Sequence, residues 1–347
     1  MVRPRRVLFL VNPTAGSGAG ARLARAACVS LQQAGATAAI RETATPEEAE
    51  RVAARAPDQG WDAVVAVGGD GTLHATVNGL MSLPPQHRPA LGVLPAGTGN
   101  SLARDLRLTD SAMAARQLLA PNPVPLDVLE IEAGGRPAVA QASCLPGADP
   151  LPVRGDDAGR WRRHAVTVVG WGMWAEGNRL AERLRRAGRW RYDLAGLGLI
   201  GRRPVWPGQL RWDGNDGTAG TAAGPFALVV ACNSIHSGRG LQVAPGARLD
   251  DGLLDLLFVG PLPRRTLLRL FLLLRSGGHL RSPRVRRVRT REIRVRTSGA
   301  GFVVVDGETL SFQDTFRVRV IPHALRLLGA ARAPGIHVHP ERPLAGP

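Results

Sequence analysis

A glycine-rich turn in the first third of the chain carries the residues best suited to phosphate chemistry. Gly68–Thr72 reads Gly-Gly-Asp-Gly-Thr and directly follows the apolar run Ala63–Val67. Glycines let backbone N–H groups approach phosphate oxygens, and a helix that begins there adds the positive end of its dipole. Asp70 adds a carboxylate that can meet a metal ion or a reacting hydroxyl group. A glycine-rich turn without a ligand is the alternative interpretation.

Two further glycine-rich turns, Val11–Gly18 and Leu94–Ser101, also accompany apolar runs. In a parallel sheet all three turns would lie at the carboxyl ends of the strands, where open α/β folds bind their ligands. The chain contains no lysine, which excludes the GxxxxGK[ST] phosphate loop, and the GxGxxG spacing of dinucleotide-binding sites is missing. The three turns together predict a nucleotide-phosphate site of another kind.

The length and the charge of the chain narrow the possible partners. The 347 residues are enough for two domains, and 45 basic residues, all arginine, outnumber 28 acidic ones for a net charge of +17. Part of this excess is typical of a GC-rich coding bias, but it favours nucleotide phosphates, anionic lipids or nucleic acid as partners. Only 4% of the residues are aromatic and no reader motif is present, which argues against specific nucleic-acid binding.

Cysteine usage and hydropathy indicate the compartment. Cys28, Cys144 and Cys232 form no CxxC pair, so a disulfide framework is disfavoured and a reducing compartment is expected. The longest apolar stretch, Thr266–Leu274, is interrupted by Arg269 and is too short to cross a bilayer. We therefore expect a cytoplasmic protein that is peripherally associated with a membrane. The sequence leaves the oligomeric state open, and a homodimer is one option.

Short apolar strands alternate with helical patterns through the first third of the chain. The predicted strands are 7–11, 38–41, 63–67 and 91–94, and the predicted helices are 19–34, 46–56, 72–80 and 101–106. This alternation predicts an α/β domain with a doubly wound parallel sheet.

Strand patterns dominate the remainder of the chain and predict a β-rich second domain, a β-sandwich. The predicted strands are 128–131, 165–169, 226–231, 254–259, 293–296, 302–305 and 316–320. The predicted helices are 179–187, 264–275 and 324–328, and the predicted loops are 143–163 and 213–224. The proline-rich Pro121–Pro125 marks the boundary. We predict a nucleotide-binding domain at 1–122, on which 321–347 can pack back, and a lipid-substrate domain at 123–320.

Five segments occur in the order of a known family. Asn12-Pro13 with its glycines, Gly68–Thr72, Gly97–Asn100, Pro245–Leu253 and Val305–Glu308 resemble the motifs of the diacylglycerol kinase catalytic-domain family, which includes bacterial lipid kinases and sphingosine and ceramide kinases. The resemblance implies an α/β domain like that of phosphofructokinases and NAD kinases, followed by a β-sandwich domain. It also implies an ATP-dependent lipid kinase, in which ATP with Mg²⁺ meets the hydroxyl group of diacylglycerol or a sphingoid base in a cleft between the domains.

Motif matching carries the family's site residues onto this chain. The implied nucleotide-binding residues are Asn12, Pro13, Thr14, Ala15, Gly16, Thr43, Gly68, Gly69, Asp70, Gly71, Thr72, Leu73, His74, Gly97, Thr98, Gly99 and Asn100. The family's proton acceptor falls on Glu308, while Asp306 and Asp70 stay open as alternatives. A structural Mg²⁺ site of bacterial members falls on Arg248, Asp251 and Leu253, the first and third through their carbonyl oxygens, although this segment also suits a plain hairpin turn.

Two positions depart from the family pattern. His74-Ala75 stands where the family commonly has Asn-Glu, and Ser101 stands where it commonly has aspartate. The first change alters nucleotide contacts, and the second removes a carboxylate from the metal network. A catalytically weak nucleotide- and lipid-binding regulatory protein of the same fold is therefore the alternative function. A histidine on a helix surface is an equally good interpretation of His74.

Two regions bear on the substrate and the membrane. Two segments, Gly170–Glu176 and Arg183–Tyr192, are similar to the lipid-contacting segment of sphingosine and ceramide kinases. A strand and an amphipathic helix that only pack on the sandwich would have the same sequence pattern. Glu176 falls at the lipid head in that segment, and a carboxylate there suits a cationic amine. Diacylglycerol and a sphingoid base are thus equal candidates.

Residues 264–275 predict either a membrane-facing amphipathic helix or a core helix, and Arg281–Arg291 suits either anionic lipid or solvent. The predicted partners are a lipid alcohol and an anionic membrane surface.

Overall fold

The first third of the chain forms a parallel sheet. The computed structural model describes residues 6–13, 18–108, 123–135, 159–214, 219–238 and 240–329, together with Ala114 and Leu118. The strands β1 (Arg6–Val11), β2 (Thr37–Glu42), β3 (Ala63–Gly68) and β4 (Ala90–Pro95) are parallel and lie in the order β2-β1-β3-β4. Both β3 and β4 are buried along their whole length, as expected for a parallel sheet that is covered on both faces.

Four helices follow these strands: α1 (Ala19–Gln33), α2 (Pro46–Ala54), α3 (Asp70–Met81) and α4 (Ser101–Asp105). α2 and α3 pack together so closely that a Cβ on Gly79 would lie 2.3 Å from the carbonyl oxygen of Glu50. Right-handed crossovers place these two helices on one face of the sheet and α1 on the other. The predicted doubly wound α/β fold is confirmed.

The rest of the described chain is mainly antiparallel. Its strands are β5 (Val124–Gly134), β6 (Arg160–Ala165), β7 (Val168–Gly172), β8 (Trp206–Gly214), β9 (Gly220–Phe226), β10 (Leu228–Cys232), β11 (His236–Ser237), β12 (Leu241–Gln242), β13 (Leu254–Val259), β14 (Arg286–Thr297), β15 (Gly301–Val305), β16 (Glu308–Phe312) and β17 (Thr315–Leu327). Its helices are α5 (Met173–Arg183), α6 (Arg191–Arg202) and α7 (Arg264–Leu273). No helix in the described ranges has the length and apolarity needed to cross a membrane.

Alternate residues of these strands point into a common core. On β10, Val229 and Ala231 join this core, whereas Val230 and Cys232 face the opposite side. Strands from both ends of the path β16-β15-β7-β10-β13-β14-β17 contribute side chains to it, together with β5, β6, β8 and β9. The sheet therefore closes over its own face as the predicted β-sandwich.

The last strand returns to the first sheet. β17 pairs with β5 along most of its length, and Leu327 pairs with Leu91 of β4. Leu325, Leu327 and Leu328 are buried in the core of the parallel sheet. The domain limits 1–122 and 123–320 stay a prediction, and residues 330–347 lie outside the described chain.

Several local predictions are wrong for physical reasons. Residues 324–328 are not a helix: 324–327 extend β17, which ends at Leu327, and 328 lies in a turn. A bulge between Ile321 and Leu325 breaks the strand alternation and leaves a helix-like spacing. Residues 220–224 are not a loop but belong to β9, which is stabilised by its pairing with β8. Of the loop predicted at 143–163, residues 160–163 belong to β6 and residues 143–158 lie outside the described ranges.

Candidate active site

Two of the glycine-rich turns touch each other backbone to backbone. A Cβ on Gly97 would lie 2.3 Å from the Cα of Gly69, and a Cβ on Gly99 would lie 2.2 Å from Oδ2 of Asp70. The Asn100 side chain closes the second turn, since its Oδ1 accepts the Gly97 N–H at 3.1 Å and its Nδ2 donates to the Gly97 carbonyl at 2.7 Å. The turns after β3 and β4 thus form one surface at the carboxyl edge of the sheet.

Asp70 begins α3 and binds the start of α4. Its Oδ1 accepts the backbone N–H of Ser101 at 2.7 Å, and its Oδ2 accepts the Ser101 hydroxyl at 3.3 Å. Burial raises the pKa of Asp70 to about 6, and the charge of Asp306 adds to this effect. A half-buried carboxylate with a raised pKa in a cleft is suited to meet a cation.

The other implied nucleotide-binding residues lie around these turns with some exceptions. Backbone hydrogen bonds join Asn12 to the end of β3 and Thr43 to the end of β1. Pro13 follows Asn12 in the same turn. Leu73 is buried in the core of the parallel sheet. Thr14, Ala15 and Gly16 lie outside the described residues.

Asp306 occupies the turn between β15 and β16. Its φ of 48° and the φ of 97° at Gly307 are typical of a two-residue hairpin turn. Its carboxylate accepts the backbone N–H groups of residues 166, 167 and 168 at 2.7, 2.9 and 3.0 Å, and also the hydroxyl of Thr167. Asp306 therefore holds the break between β6 and β7, and this is why the single strand predicted at 165–169 is divided.

Glu308 has one occupied and one unoccupied oxygen. Its Oε2 lies 2.8 Å from His74 Nε2 and 3.3 Å from Arg163 Nη2. Its Oε1 is buried and has no hydrogen-bond partner within the described residues. Burial disfavours the charge on Glu308, but His74 and Arg163 outweigh it and hold the pKa of Glu308 below its usual value.

His74 lies one turn into α3 and is only 5% exposed. Its Nδ1 is 3.7 Å from Oδ2 of Asp306, while its Nε2 contacts Glu308. Burial lowers the pKa of His74, but these two carboxylates outweigh it and raise the pKa to about 9. His74 is therefore an imidazolium at neutral pH, and its interpretation as a helix-surface histidine is wrong.

Two buried charged residues, one on the cavity wall and one at the end of α4, were missed in the sequence. Arg163 on β6 donates to both carboxylate oxygens of Glu50 on α2 at 3.0 and 2.9 Å, as well as to Glu308. Asp105, at the end of α4, accepts the backbone N–H of Ile235 at 2.7 Å and pairs with the ring of His236. Nothing in their local sequence distinguishes Arg163 or Asp105 from surface residues, because their partners are more than a hundred positions away.

A cavity of about 1260 Å³ joins the glycine-rich turns to α5, α6 and α7. Its polar end is lined by Asp70, His74, Thr98, Ser101, Asp306 and Glu308. Its apolar end lies between the outer face of β7, β10 and β13 and the three helices, and its walls include Val168, Trp174, Val230, Leu257, Leu267 and Phe271. One continuous space therefore joins the glycine-rich turns to an apolar chamber.

The helix that carries Glu176 offers a different carboxylate to this cavity. Trp174, Asn178 and Glu182 of α5 lie on the cavity wall. Glu176 is absent from the wall and instead pairs with Arg179 at 2.9 Å. Residues 174, 178 and 182 are four positions apart and therefore lie on one face of α5, the face toward the cavity. Residue 176 lies on a different face.

The single carboxylate among the residues matched to a structural Mg²⁺ site is held in ion pairs, and that site stays a prediction. The Oδ1 of Asp251 accepts the backbone N–H of Leu253 at 3.0 Å, and its Oδ2 pairs with the guanidinium of Arg289. The guanidinium of Arg248 is also close, with its Nε 3.8 Å from the same oxygen. Two guanidinium groups thus lie beside this carboxylate, while the resemblance places the other two ligands on the carbonyl oxygens of Arg248 and Leu253.

Comparisons with known proteins agree with this architecture. A family model of the diacylglycerol kinase catalytic domain matches residues 6–131, and a model of the YegS C-terminal NAD kinase beta sandwich-like domain matches residues 167–329. The chain is 29% identical over 326 residues to a diacylglycerol kinase of Mycobacterium tuberculosis, covering 93% of this chain and 94% of the relative. It is 28% identical over 364 aligned positions to sphingosine kinase 1 of Homo sapiens, covering 89% and 87%.

Crystal structures from Bacillus anthracis share the fold. One, of a diacylglycerol kinase, superposes with a TM-score of 0.64 at 17% identity and covers 96% of this chain and 100% of that chain. Another superposes with a TM-score of 0.72 at 20% identity and covers 96% and 98%. At such identities the likeness establishes the fold alone.

Proposed function

Since the chain belongs to the diacylglycerol kinase catalytic-domain family and is a lipid kinase, we propose that it transfers the γ-phosphate of ATP to the hydroxyl group of diacylglycerol or of a sphingoid base. The observation that carries this proposal is the single cavity with two unlike ends. Glycine-rich turns and carboxylates at one end suit a nucleotide triphosphate, and apolar walls at the other end suit an acyl chain.

The phosphates of ATP would rest on the turns after β3 and β4. Their backbone N–H groups and the start of α3 supply partial positive charge without a lysine. Mg²⁺ fits beside them, because Asp70 is a half-buried carboxylate with a raised pKa and Mg²⁺ needs only one or two carboxylates when phosphates supply other oxygens. When bound, the ion would neutralise charge on the transferring phosphoryl group.

We assign the proton transfer to Oε1 of Glu308. The lipid hydroxyl oxygen forms a bond to the γ-phosphorus while the bond from that phosphorus to the bridging oxygen of ADP breaks, and ADP leaves. The hydroxyl proton passes to Oε1, the carboxylate oxygen that accepts no hydrogen bond from the described residues. Asp306 is unsuited because backbone and hydroxyl donors occupy its carboxylate. A pKa below the usual value keeps Glu308 ionised at neutral pH.

The lipid itself stays a choice between two candidates. Glu182 on the cavity wall would meet a cationic amine well, which favours a sphingoid base. Glu182 is also 3.5 Å from Arg191, which reduces its surplus negative charge and makes a neutral diacylglycerol head acceptable. The relatives that carry the two names are similar to this chain to nearly the same extent.

A phosphorylation assay tests the proposed function. The full-length protein is incubated with γ-labelled ATP and Mg²⁺ on vesicles that contain dioleoylglycerol, sphingosine or ceramide in turn. We expect label in dioleoylglycerol or in sphingosine, and none with the Glu308→Gln variant. A wild-type protein that labels neither dioleoylglycerol nor sphingosine would overturn the proposal.

The regulatory alternative rests on the two departures from the family pattern. His74 contacts Glu308, and Ser101 is hydrogen-bonded to Asp70. Both residues that depart from the family pattern therefore make contacts with carboxylates of the site. This arrangement favours an active enzyme. Binding of ATP and lipid at full occupancy with no release of ADP would favour the regulatory protein.

We also propose an anionic membrane at the cytoplasmic side, where ATP is available, as the docking surface. Apolar side chains of α6 and α7 point away from the cavity and are exposed, among them Leu194, Leu197, Leu268 and Leu272. The same helices carry exposed arginines, including Arg202, Arg264, Arg265 and Arg269. This combination suits an interfacial surface over anionic lipid. Arg287 and Arg289 are engaged in internal ion pairs, so the arginine run 281–291 is the weaker candidate.

A further inference from the structure

We propose that Arg163 and His74 are positioning residues, which fix the Glu308 carboxylate through Oε2 and thereby select Oε1 as the proton acceptor. The proposal rests on the lipid kinase reaction assigned above. It adds to that reaction a physical reason why one oxygen of one carboxylate performs the transfer.

The contacts come from three separate elements. His74 on α3 lies 2.8 Å from Oε2, and Arg163 on β6 reaches the same oxygen at 3.3 Å, while Glu308 begins β16. The terminal torsion of a glutamate is broad and has two nearly equivalent orientations. Two donors that converge on one oxygen from different directions remove this freedom, and both donors are themselves almost fully buried. The other oxygen is left without a partner in the described structure.

The neighbouring charges support the same assignment. His74 also faces Asp306 at 3.7 Å, and Arg163 is held from the opposite side by both oxygens of Glu50. Asp70, at the start of α3, is close enough to Asp306 for the charge of Asp306 to raise its pKa. Glu308 thus faces two cations directly, and their combined effect lowers its pKa against the cost of burial.

The sign of the pH effect follows from these charges. Removing either cation makes the ionised form of Glu308 less favourable, so Glu308 takes up its proton at a higher pH. The acidic limb of the kcat profile therefore moves to higher pH, by about one unit for the loss of one close charge. At a pH below the new midpoint the rate falls about tenfold relative to the wild type.

The experiment compares three variants of the full chain. Arg163→Met combined with Glu50→Gln removes the ion pair and leaves no unpaired carboxylate on α2, whereas Glu50→Gln alone is the matched control that keeps the contact between Arg163 and Glu308. His74→Gln tests the second donor. We expect the acidic midpoint to rise in the double variant and in His74→Gln, and to stay in place in Glu50→Gln. The KM for ATP should remain unchanged in the double variant and in Glu50→Gln.

A second readout does not depend on turnover. The ¹⁵N resonances of the His74 imidazole, identified by their loss in His74→Gln, are titrated in the wild type and in Glu308→Gln. We expect a midpoint near 9 in the wild type, lowered by at least one unit in the variant.

An unchanged acidic midpoint in folded His74→Gln and in the folded double variant would overturn the inference while the lipid kinase reaction stands. If the wild type phosphorylates no lipid, the proposed function fails and the titration decides the inference by itself. In that case, a His74 imidazole that titrates at the same pH in the wild type and in Glu308→Gln would overturn the inference.

Discussion

Ser101 donates its backbone N–H to Oδ1 of Asp70 at 2.7 Å, and its hydroxyl lies 3.3 Å from Oδ2. The pair joins the first residue of α3 to the first residue of α4, and so it holds the two glycine-rich turns in contact. A serine at this position binds Asp70 by hydrogen bonds and adds no second negative charge. Asp70 is therefore the carboxylate that faces the proposed phosphate site from these turns.

Replacing Asp70 by asparagine is expected to abolish phosphoryl transfer and to stabilise the fold. An aspartate titrates near 3.9 in an unfolded chain, and burial raises the pKa of Asp70 to about 6. Stability is thus lost as the pH rises through the window from about 4 to 6, because the buried charge is unfavourable. Asparagine keeps the shape and removes this charge, so it should recover about 1–3 kcal/mol at pH 7.

Calorimetry from pH 4 to pH 8 without nucleotide measures this difference, and the lipid assay measures the activity. The melting temperatures of the two proteins should converge near pH 4. A variant that keeps substantial kinase activity, or that melts below the wild type at pH 7, would contradict the assignment of Asp70.

Glu182 rather than Glu176 is expected to sense the lipid head. Both carboxylates lie on α5, but only Glu182 lies on the cavity wall. Glu182→Gln should raise the KM for sphingosine more than the KM for diacylglycerol, by about tenfold for a charge-assisted contact, and leave the KM for ATP unchanged. Glu176→Gln is the matched control and should affect neither lipid. Equal losses on both lipids would show that Glu182 is structural.

Membrane binding is expected to depend on the exposed leucines of α7. The double substitution Leu268→Ser and Leu272→Ser should weaken binding to vesicles that contain anionic lipid by at least about tenfold. The reason is that the two exposed leucine side chains would otherwise be buried in the apolar part of the bilayer. Val29→Ser on α1 removes an exposed apolar residue far from these helices in sequence and serves as the control.

Added salt should weaken the wild-type interaction, since the Debye length is about 8 Å at physiological ionic strength. Sedimentation with vesicles of graded anionic content measures both effects. Equal binding of the two substituted proteins would place the docking surface elsewhere on the molecule.

Removal of divalent cations is expected to leave the folded structure unchanged. Arg289 and Arg248 already neutralise Asp251 at the position matched to a structural Mg²⁺ site. A chelator should therefore not shift the melting temperature of the nucleotide-free protein. Arg289→Met should lower stability by about 1 kcal/mol or less, because the pair is partly exposed, and should make the melting temperature sensitive to Mg²⁺. A drop in the wild-type melting temperature on chelation would show that a divalent cation stabilises the folded protein and would support the Mg²⁺ site at this turn.

The local sequence determined the elements and the turns of the first domain. The strand predicted at 63–67 is β3, the one predicted at 91–94 is β4, and both are followed by the expected glycine-rich turns. These features depend on apolar runs and on glycine, whose preferences act within a few residues. The family resemblance of the second half was also readable, because Val305–Glu308 carries the Asp-Gly turn and both carboxylates together.

Only the tertiary structure decided what those groups do. His74 and Glu308 are 234 positions apart, and Arg163 meets Glu50 across 113 positions. No local pattern encodes such pairs, because they form only when α2 and α3 of the first domain pack against β6 and β16 of the sandwich. The same packing commits Asp306 to three backbone N–H groups and leaves Oε1 of Glu308 without a donor. The sequence therefore determined which chemical groups are available, and the fold decided which of them are charged, occupied or free to react.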